Sequence, residues 1–222
     1  HTRCWGVNAM LQDNNKVDGT QTIPFIPNYT NISGGLFAVE KWTRGDWQWD
    51  AGARYDWRSY QIVGFDFLNR IFRANNQFHN VSGTLGARYQ LTPRNAIATT
   101  LGTTWRPPNV AELYSLGTHQ SAAAIEYGLL LDERTTEVQP LSDANFANEQ
   151  ALKWVGTYTW RTADAQLELS GYANYIFNYI YLRPTGVTES LRGVFPYFRY
   201  TQTDALFLGT DASVSFQFHR YW

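Results

Sequence analysis

The arginines offer this chain its main chemical potential. Arg54, Arg58, Arg88 and Arg106 all stand at even positions, and in an extended chain residues of one parity share a face. A row of guanidinium groups can bind an anionic ligand. It can equally pair with carboxylates on the same face, for which Asp50, Asp56 and Glu168 have the right parity. Arg58 and Arg106 lie at the ends of their segments, which makes them the better ligand candidates. Tyr114, His119 and Glu126 could join them from the long connection after Trp105. The four histidines, His1, His79, His119 and His219, are far apart. They offer no local metal pair, and His119 reads either as a ligand or as a solvated loop residue. Gly-x-Ser-x-Gly, His-Glu-x-x-His, a phosphate loop and Cys-x-x-Cys are all missing. The expectation is therefore no catalytic residue, no metal, no cofactor and no enzyme. Cys4 is the single cysteine, which excludes an intrachain disulfide; it is expected to be a buried or lipid-facing thiol.

Strands must position these residues, because period-two alternation dominates and helical periodicity is scarce. From Trp47 to Arg58, one parity reads Trp47, Trp49, Ala51, Ala53, Tyr55, Trp57 and the other Gln48, Asp50, Gly52, Arg54, Asp56, Arg58. One face is wholly apolar or aromatic and the other is charged. The Trp47–Trp57 stretch extends about 33 Å at roughly 3.3 Å per residue. Tilted about 40°, it spans about 25 Å, the height of the apolar band of a transmembrane barrel. Aromatics then fall at both rims and alanines between them, the arrangement of interfacial girdles. Similar stripes run through Val81–Tyr89, Ile97–Trp105, Leu152–Trp160 and Leu167–Tyr181, and Trp5, Val7, Ala9 and Leu11 form another. Trp42, Trp47, Trp49, Tyr55, Trp57, Tyr89, Trp105, Trp160, Tyr179 and Tyr181 are the expected girdle. In Ile32–Thr43 both parities carry a charge, and Phe37, Val39 and Lys41 are placed outward, with Lys41 snorkelling. A long strand is expected over Tyr197–Phe218, interrupted near Gly209.

Composition agrees. Aromatic residues make up 16%, with 9 Trp and 14 Tyr, and charged residues 17%, against about 25% charged in ordinary soluble domains. Net charge is −1, so no nucleic-acid partner is indicated. No apolar run reaches the roughly 18 residues of a transmembrane helix, which a barrel does not need. Connections alternate in length. Short turns fall at 44–46, 91–95 and 162–164, and long polar connections at about 13–30, 61–77, 107–148 and 184–196. A barrel with tight turns on one membrane side and extended loops on the other shows this asymmetry. The expected fold is all-β, an antiparallel transmembrane β-barrel with about eight strands present, in one partial domain over residues 1–222. His1 opens the sequence without a signal peptide, as in a mature form or an excised part.

Thr104-Trp105-Arg106-Pro107-Pro108-Asn109-Val110-Ala111-Glu112-Leu113-Tyr114-Ser115 resembles a landmark of TonB-dependent outer-membrane receptors, an aromatic-Arg-Pro-Pro strand end followed by a Glu-Leu-Tyr loop opening. Gly117-Thr118-His119 and Ile125-Glu126-Tyr127-Gly128 follow as in the family. Ile23–Tyr29, Gly35-Leu36-Phe37 and Gly52-Ala53-Arg54-Tyr55-Asp56 are similar to its barrel segments, and Gly209-Thr210-Asp211-Ala212 to its Gly-x-Glu strand, with Asp for Glu. Residues 129–148 are longer than the family's corresponding segment and altered.

The resemblance covers nearly the whole chain and implies a central part of a barrel of about 22 strands. Plug domain, TonB box and the remaining strands are not recognisable. It implies energy-coupled uptake of a small nutrient (siderophore, haem, cobalamin, metal or glycan) in the outer membrane of a Gram-negative bacterium. Partners implied are outer-membrane lipid, the rest of the receptor, and TonB through the plug; the lumen arginines could then contact ligand or plug. Two other readings stay open. A complete eight-stranded outer-membrane barrel with a structural or adhesive role would end in an aromatic, as Trp222 does. A soluble carbohydrate-binding β-sandwich would use the Trp and Tyr stripes for sugar stacking.

Overall fold

The computed structural model describes residues 1–16, 23–132, 135, 137–190 and 194–217. Ten strands form one sheet. Its long strands are β1 (Thr2–Asn14), β2 (Asn28–Arg44), β3 (Trp47–Phe65), β4 (Ile71–Thr92), β5 (Asn95–Arg106), β10 (Glu149–Arg161), β11 (Ala165–Ser190) and β12 (Val194–Phe216). Between β5 and β10 lie helix α1 (Val110–Tyr114), β6 (Leu116–His119), a 3-10 turn (Gln120–Ala122), β7 (Ala124–Tyr127), β8 (Leu131–Asp132) and β9 (Glu137–Val138). Sheet order is β1-β2-β3-β4-β5-β10-β11-β12-β7-β6, so every long strand neighbours the next in sequence. All these neighbours are antiparallel except β12 and β7. Apart from the two-residue pair β8–β9, the described strands form one continuous sheet, which excludes the two packed sheets of a sandwich. Among the described residues β1 pairs only with β2 and does not meet β12, so the long strands form a wall and not a closed eight-stranded barrel. No helix among the described residues is long and apolar enough to cross a membrane.

Register sorts the wall into two faces, because directly opposite residues share one. Trp42 faces Trp49, Leu36 faces Tyr55, Val7 faces Leu36, and Trp47 faces Tyr89. This outer face stays exposed: Trp5 is 79% accessible, Val81 73% and Leu208 68%. So much apolar surface in one continuous stripe needs lipid or another protein against it. Trp42, Trp47, Trp49 and Tyr89 gather at the short-turn end, where the Trp47 ring stacks on Trp49 at 5.0 Å and meets Tyr89 at 4.6 Å. Tyr55 and Trp57 lie toward the other end, and Trp160 beside the 162–164 turn. The opposite, lumen face is polar. Arg54 Nε donates to Asp56 Oδ1 at 2.8 Å, and its Nη2 donates to Asn8 Oδ1 at 2.7 Å.

Several expectations change. Phe37 lies opposite Arg54, Val39 opposite Gly52 and Lys41 opposite Asp50, so this parity faces the lumen. Glu40 lies on the outer face at the short-turn rim, bonded to Arg3 at 3.1 Å and to His1. Cys4 is exposed, opposite Val39 on the lumen face, and is neither buried nor lipid-facing. Most of 61–77 is strand, with β3 and β4 paired without shift to Phe65↔Ile71. Alternation fails as a signal there because both faces turn polar, as in Gln61, Asn75, Asn76 and Gln77. Much of 184–196 is likewise strand, apart from 191–193, which lie outside the described residues. Gly209 interrupts nothing: β12 is continuous, and the missing side chain leaves room for the Tyr172 ring opposite. Phe218, His219 and Trp222 also lie outside the described residues.

The clearest correction concerns β11. Its register with β12 shifts between Ile176 and Tyr179, where Asn178 has φ 55° and donates its N–H to Asp204 Oδ1 at 3.1 Å. A β-bulge adds one residue to one strand and so reverses parity beyond it. Tyr179 and Tyr181 fall opposite Thr203 and Thr201, on the face of Phe207 and not of Tyr175 and Leu206. Tyr179 packs edge-on to Phe207 at 6.1 Å. Both tyrosines therefore leave the expected girdle.

Candidate functional site

The described residues of 107–148 fold inward over the lumen face. Pro107 and Pro108 lack the N–H a strand needs, so β5 stops at Arg106. Asn109 then caps α1. Its side chain accepts from Glu112 N at 2.8 Å, and Glu112 Oε2 accepts from Asn109 N at 2.9 Å, the reciprocal pair of a capping box. The short helix seats Val110, Leu113 and Tyr114 against Tyr60, Ile62 and Phe78 on the lumen face of β3 and β4. These side chains are almost fully buried, and each contributes about 1.5–3 kcal/mol of transfer free energy. Gly128 crosses the end of α1 so closely that a methyl group there would collide with the Leu113 carbonyl.

Arg106 fastens this loop to the wall. Its Nη1 donates to both Glu112 oxygens at 2.8 Å, and its Nη2 donates to Glu149 Oε2 at 2.8 Å. Glu149 also accepts from Ile180 N at 3.1 Å, so one carboxylate–guanidinium chain joins α1, β5, β10 and β11. The guanidinium is occupied by these carboxylates, and Asp56 is taken by Arg54. Arg58 differs: its bond is to the Tyr60 hydroxyl, at 3.3 Å. With Trp105, Arg54 and Asp56 it lines a ≈270 Å³ cavity beneath the loop. Trp105 was expected in the girdle. Instead its indole N–H donates to Asp56 Oδ2 at 3.4 Å, and the ring packs against the Tyr60–Phe78 cluster. The end of β5 has left β4 there, since their pairing stops at Thr84↔Gly102.

Tyr114 is buried, and its hydroxyl accepts from Asn76 Nδ2 at 2.7 Å. Burial raises its pKa above the ordinary phenol value, partly opposed by the Asn76 bond. His119 and Glu126, on paired strands β6 and β7, do meet: Nδ1 and Oε1 are 2.8 Å apart, with Glu126 buried and His119 half exposed. A carboxylate that holds one imidazole nitrogen leaves the other, Nε2, oriented for a ligand. The His119 ring also stacks on Phe25 at 4.9 Å, and Leu116 N donates to Phe25 O at 3.1 Å. On the other side β7 pairs with β12, Ile125 opposite Tyr197. The loop thus bridges from the β12 edge to the segment before β2. Tyr200 completes the cluster. Burial, and then the charges of Glu126 and Glu112, push its phenol up to about 12. Sequence reasoning named His119, Glu126, Tyr114, Arg58 and Arg106 as candidates. It missed Glu149, Asn76 and Tyr200, which reach the loop from distant strands. Only the Asn109–Glu112 spacing carried a local signal for the loop's geometry.

Comparison with known proteins follows the same lines. The family model "TonB dependent receptor-like, beta-barrel" matches residues 4–222. Comparison with curated protein sequences gives no match. Among solved structures, the copper transporter OprC is similar at 16% identity and TM-score 0.69, over 98% of this chain and 33% of that one. The hemophore receptor HasR of Serratia marcescens, solved with its hemophore HasA and heme, is similar at 15% identity and TM-score 0.67, over 96% of this chain and 36% of that one. The FrpB iron transporter of Neisseria meningitidis is similar at 12% identity and TM-score 0.62, over 98% of this chain and 30% of that one. At such identities the likeness is one of fold. The chain spans about a third of the length of these structures.

Proposed function

The chain belongs to the TonB-dependent receptor β-barrel family, and on that premise we propose that it forms part of the wall and one outer loop of an energy-coupled nutrient receptor in the outer membrane of a Gram-negative bacterium. The remaining strands close the barrel, and a plug fills it. Ligand bound at the outer loops enters when TonB pulls on that plug. The chain's own contribution is binding and gating, with no covalent step.

One observation carries this reading: the 107–148 loop is folded inward, with α1 seated on the lumen face and its strands reaching the β12 edge. A loop so placed sits in the path between the outside and the lumen. Arg58 and the His119 Nε2 are the ligand-facing groups. Arg106, Tyr114 and Glu126 act behind them as positioning residues, because their polar atoms are bonded to the protein. Imidazole and guanidinium suit metal-bearing and anionic nutrients. A metal, haem or siderophore-borne metal is therefore the favoured cargo, in keeping with the copper, heme and iron of the similar structures. The exposed outer stripe meets lipid, with Trp42, Trp47, Trp49, Tyr55, Trp57, Tyr89 and Trp160 at its rims.

The test is uptake by the complete receptor. A strain lacking the gene should lose growth on one copper, haem or ferric-siderophore source and regain it with the wild-type gene. His119→Ala and Arg58→Ala should each weaken binding of that nutrient about tenfold while the barrel inserts normally. Recovery of the complete protein in the soluble fraction, or unchanged binding by the double variant, would sink the proposal.

A further inference from the structure

β4 has 22 residues and β5 only 12. They pair from Thr92↔Asn95 up to Thr84↔Gly102 and no further. Above that level β4 continues to Ile71, paired on its other side with β3. Among the described residues its second edge has no strand beside it, because β5 ends at Arg106 and the chain turns into α1. Gly83 marks which groups face this edge: its N–H donates to Thr103 Oγ1 at 3.0 Å, and its C=O accepts from the same hydroxyl at 3.4 Å. In an antiparallel strand both main-chain groups of every second residue point the same way. Those of Val81, His79, Gln77, Asn75 and Arg73 therefore face the open edge. None of them has a hydrogen-bond partner among the described residues.

The strands needed to close the barrel cannot fill this gap. β4 and β5 are consecutive and paired below it, so no other wall strand inserts between them. Edge strands are normally guarded by proline, a bulge, charged side chains or short length, and of these the outer half of β4 carries the charge of Arg73. Residues 71–81 contain no proline, and their register with β3 has no shift. His79 stands opposite Trp57 at the outer rim, which leaves roughly 20 Å of strand outside the membrane at about 3.3 Å per residue and a 40° tilt. A ≈650 Å³ cavity lies alongside, between residues 72–77 and 138–142, with Tyr114 in its lining. Arg73 and His79 are exposed on this edge, and no acidic side chain occurs from 71 to 81.

We propose that the outer half of β4 is a docking edge for an extended, acid-bearing segment of a partner polypeptide, which adds as a strand in the gap left by β5. Main-chain groups at a two-residue repeat recognise an extended backbone. Arg73 and His79 favour carboxylates on it. The proposal uses the family reading only for the height of this edge, and its test is binding, independent of any transported nutrient.

The probe is the peptide Ac-Thr-Val-Glu-Val-Thr-Glu-Val-Thr-NH2, added to the complete receptor in nanodiscs and followed by amide hydrogen exchange. The amides of Arg73, Asn75, Gln77 and His79 should exchange fast without peptide and slow by about tenfold or more with it. Gln77→Pro removes one edge donor without touching the β3 ladder and should weaken binding about tenfold. Arg73→Glu should also weaken it, by several fold at low salt. Three results would overturn the proposal: protection of these amides before peptide is added, which would mean the receptor's own chain covers the edge; equal binding of a peptide N-methylated at alternate residues; or protection confined to other strands.

Discussion

Arg106 illustrates how a side chain suited to ligand binding is used for structure. It is half exposed, yet its nitrogens are bonded to Glu112 and Glu149. Arg106→Met would leave two poorly solvated carboxylates facing each other. Loss of a fully buried partner costs several kcal/mol, and partial exposure reduces this to about 1–2 kcal/mol. The expected outcome is faster exchange of the Leu129 and Leu130 amides, which hold the loop to α1 through Glu112 O and Leu113 O. Unchanged exchange would remove the clamp from the account. Tyr200 allows a pH test. Its folded pKa is raised from 10.0 to about 12, so folding favours the neutral phenol. That stability is complete below pH 10 and is lost as pH rises toward 12. Tyr200→Phe should remove a phenol that titrates well above 10 from an absorbance titration and flatten the alkaline fall in loop stability.

At the scale of elements, the β3–β4 hairpin is stabilised where the sequence shows no amphipathic pattern. Its tip is organised by Asp66, whose carboxylate accepts from Leu68 N and Arg70 N at 2.9 Å and from Arg70 Nε at 2.6 Å. Burial alone would raise the Asp66 pKa, but these bonds hold it below the ordinary carboxylate value. The sign follows: its contribution is present above the ordinary carboxylate pKa and lost as pH falls through the lowered one. Asp66→Asn should make the protection of the hairpin-tip amides, measured relative to intrinsic exchange, nearly independent of pH across the acid range, where the wild type loosens. The bulge at Asn178 belongs to the same scale. A single added residue reassigns Tyr179 and Tyr181, so a stripe read by twos along β11 fails above Ile176 while the stripe below it holds.

For the whole molecule, the open wall leaves strand β1 paired on one side only and its outer face exposed, which fits the proposed place in a lipid-embedded barrel. Ala53 lies mid-band on the outer face, opposite Gly83, and Ser82 on the lumen face, opposite Arg54. Ala53→Arg in the complete receptor should cost about 2–4 kcal/mol on folding into lipid vesicles, the penalty for a cation near the bilayer midplane. Ser82→Gln, on the polar face, should cost well under 1 kcal/mol. Equal effects at both positions would contradict the assignment of faces.

Sequence alone determined the eight long strands of the wall, the tight turns at 44–46, 91–95 and 162–164, the long connection over 107–148, and the apolar and polar faces of β1, β3 and β10. Period-two patterning is local, and one face must be apolar wherever it meets lipid. It also marked the Trp-Arg-Pro-Pro strand end, which depends on neighbours in the chain. Only the tertiary structure decided which arginines are free. Arg106 meets Glu149 and Arg54 meets Asn8 across strands far apart in sequence, and no spacing rule reports such pairs. It also turned Trp105, Phe37 and Val39 inward, because where β5 leaves β4, and how a doubly charged strand lies, are settled by register. The same arginine row that suggested an anion site is therefore divided by the fold: Arg54 and Arg106 hold the wall and loop through carboxylates, whereas Arg58 bonds the Tyr60 hydroxyl and is the one proposed for a ligand.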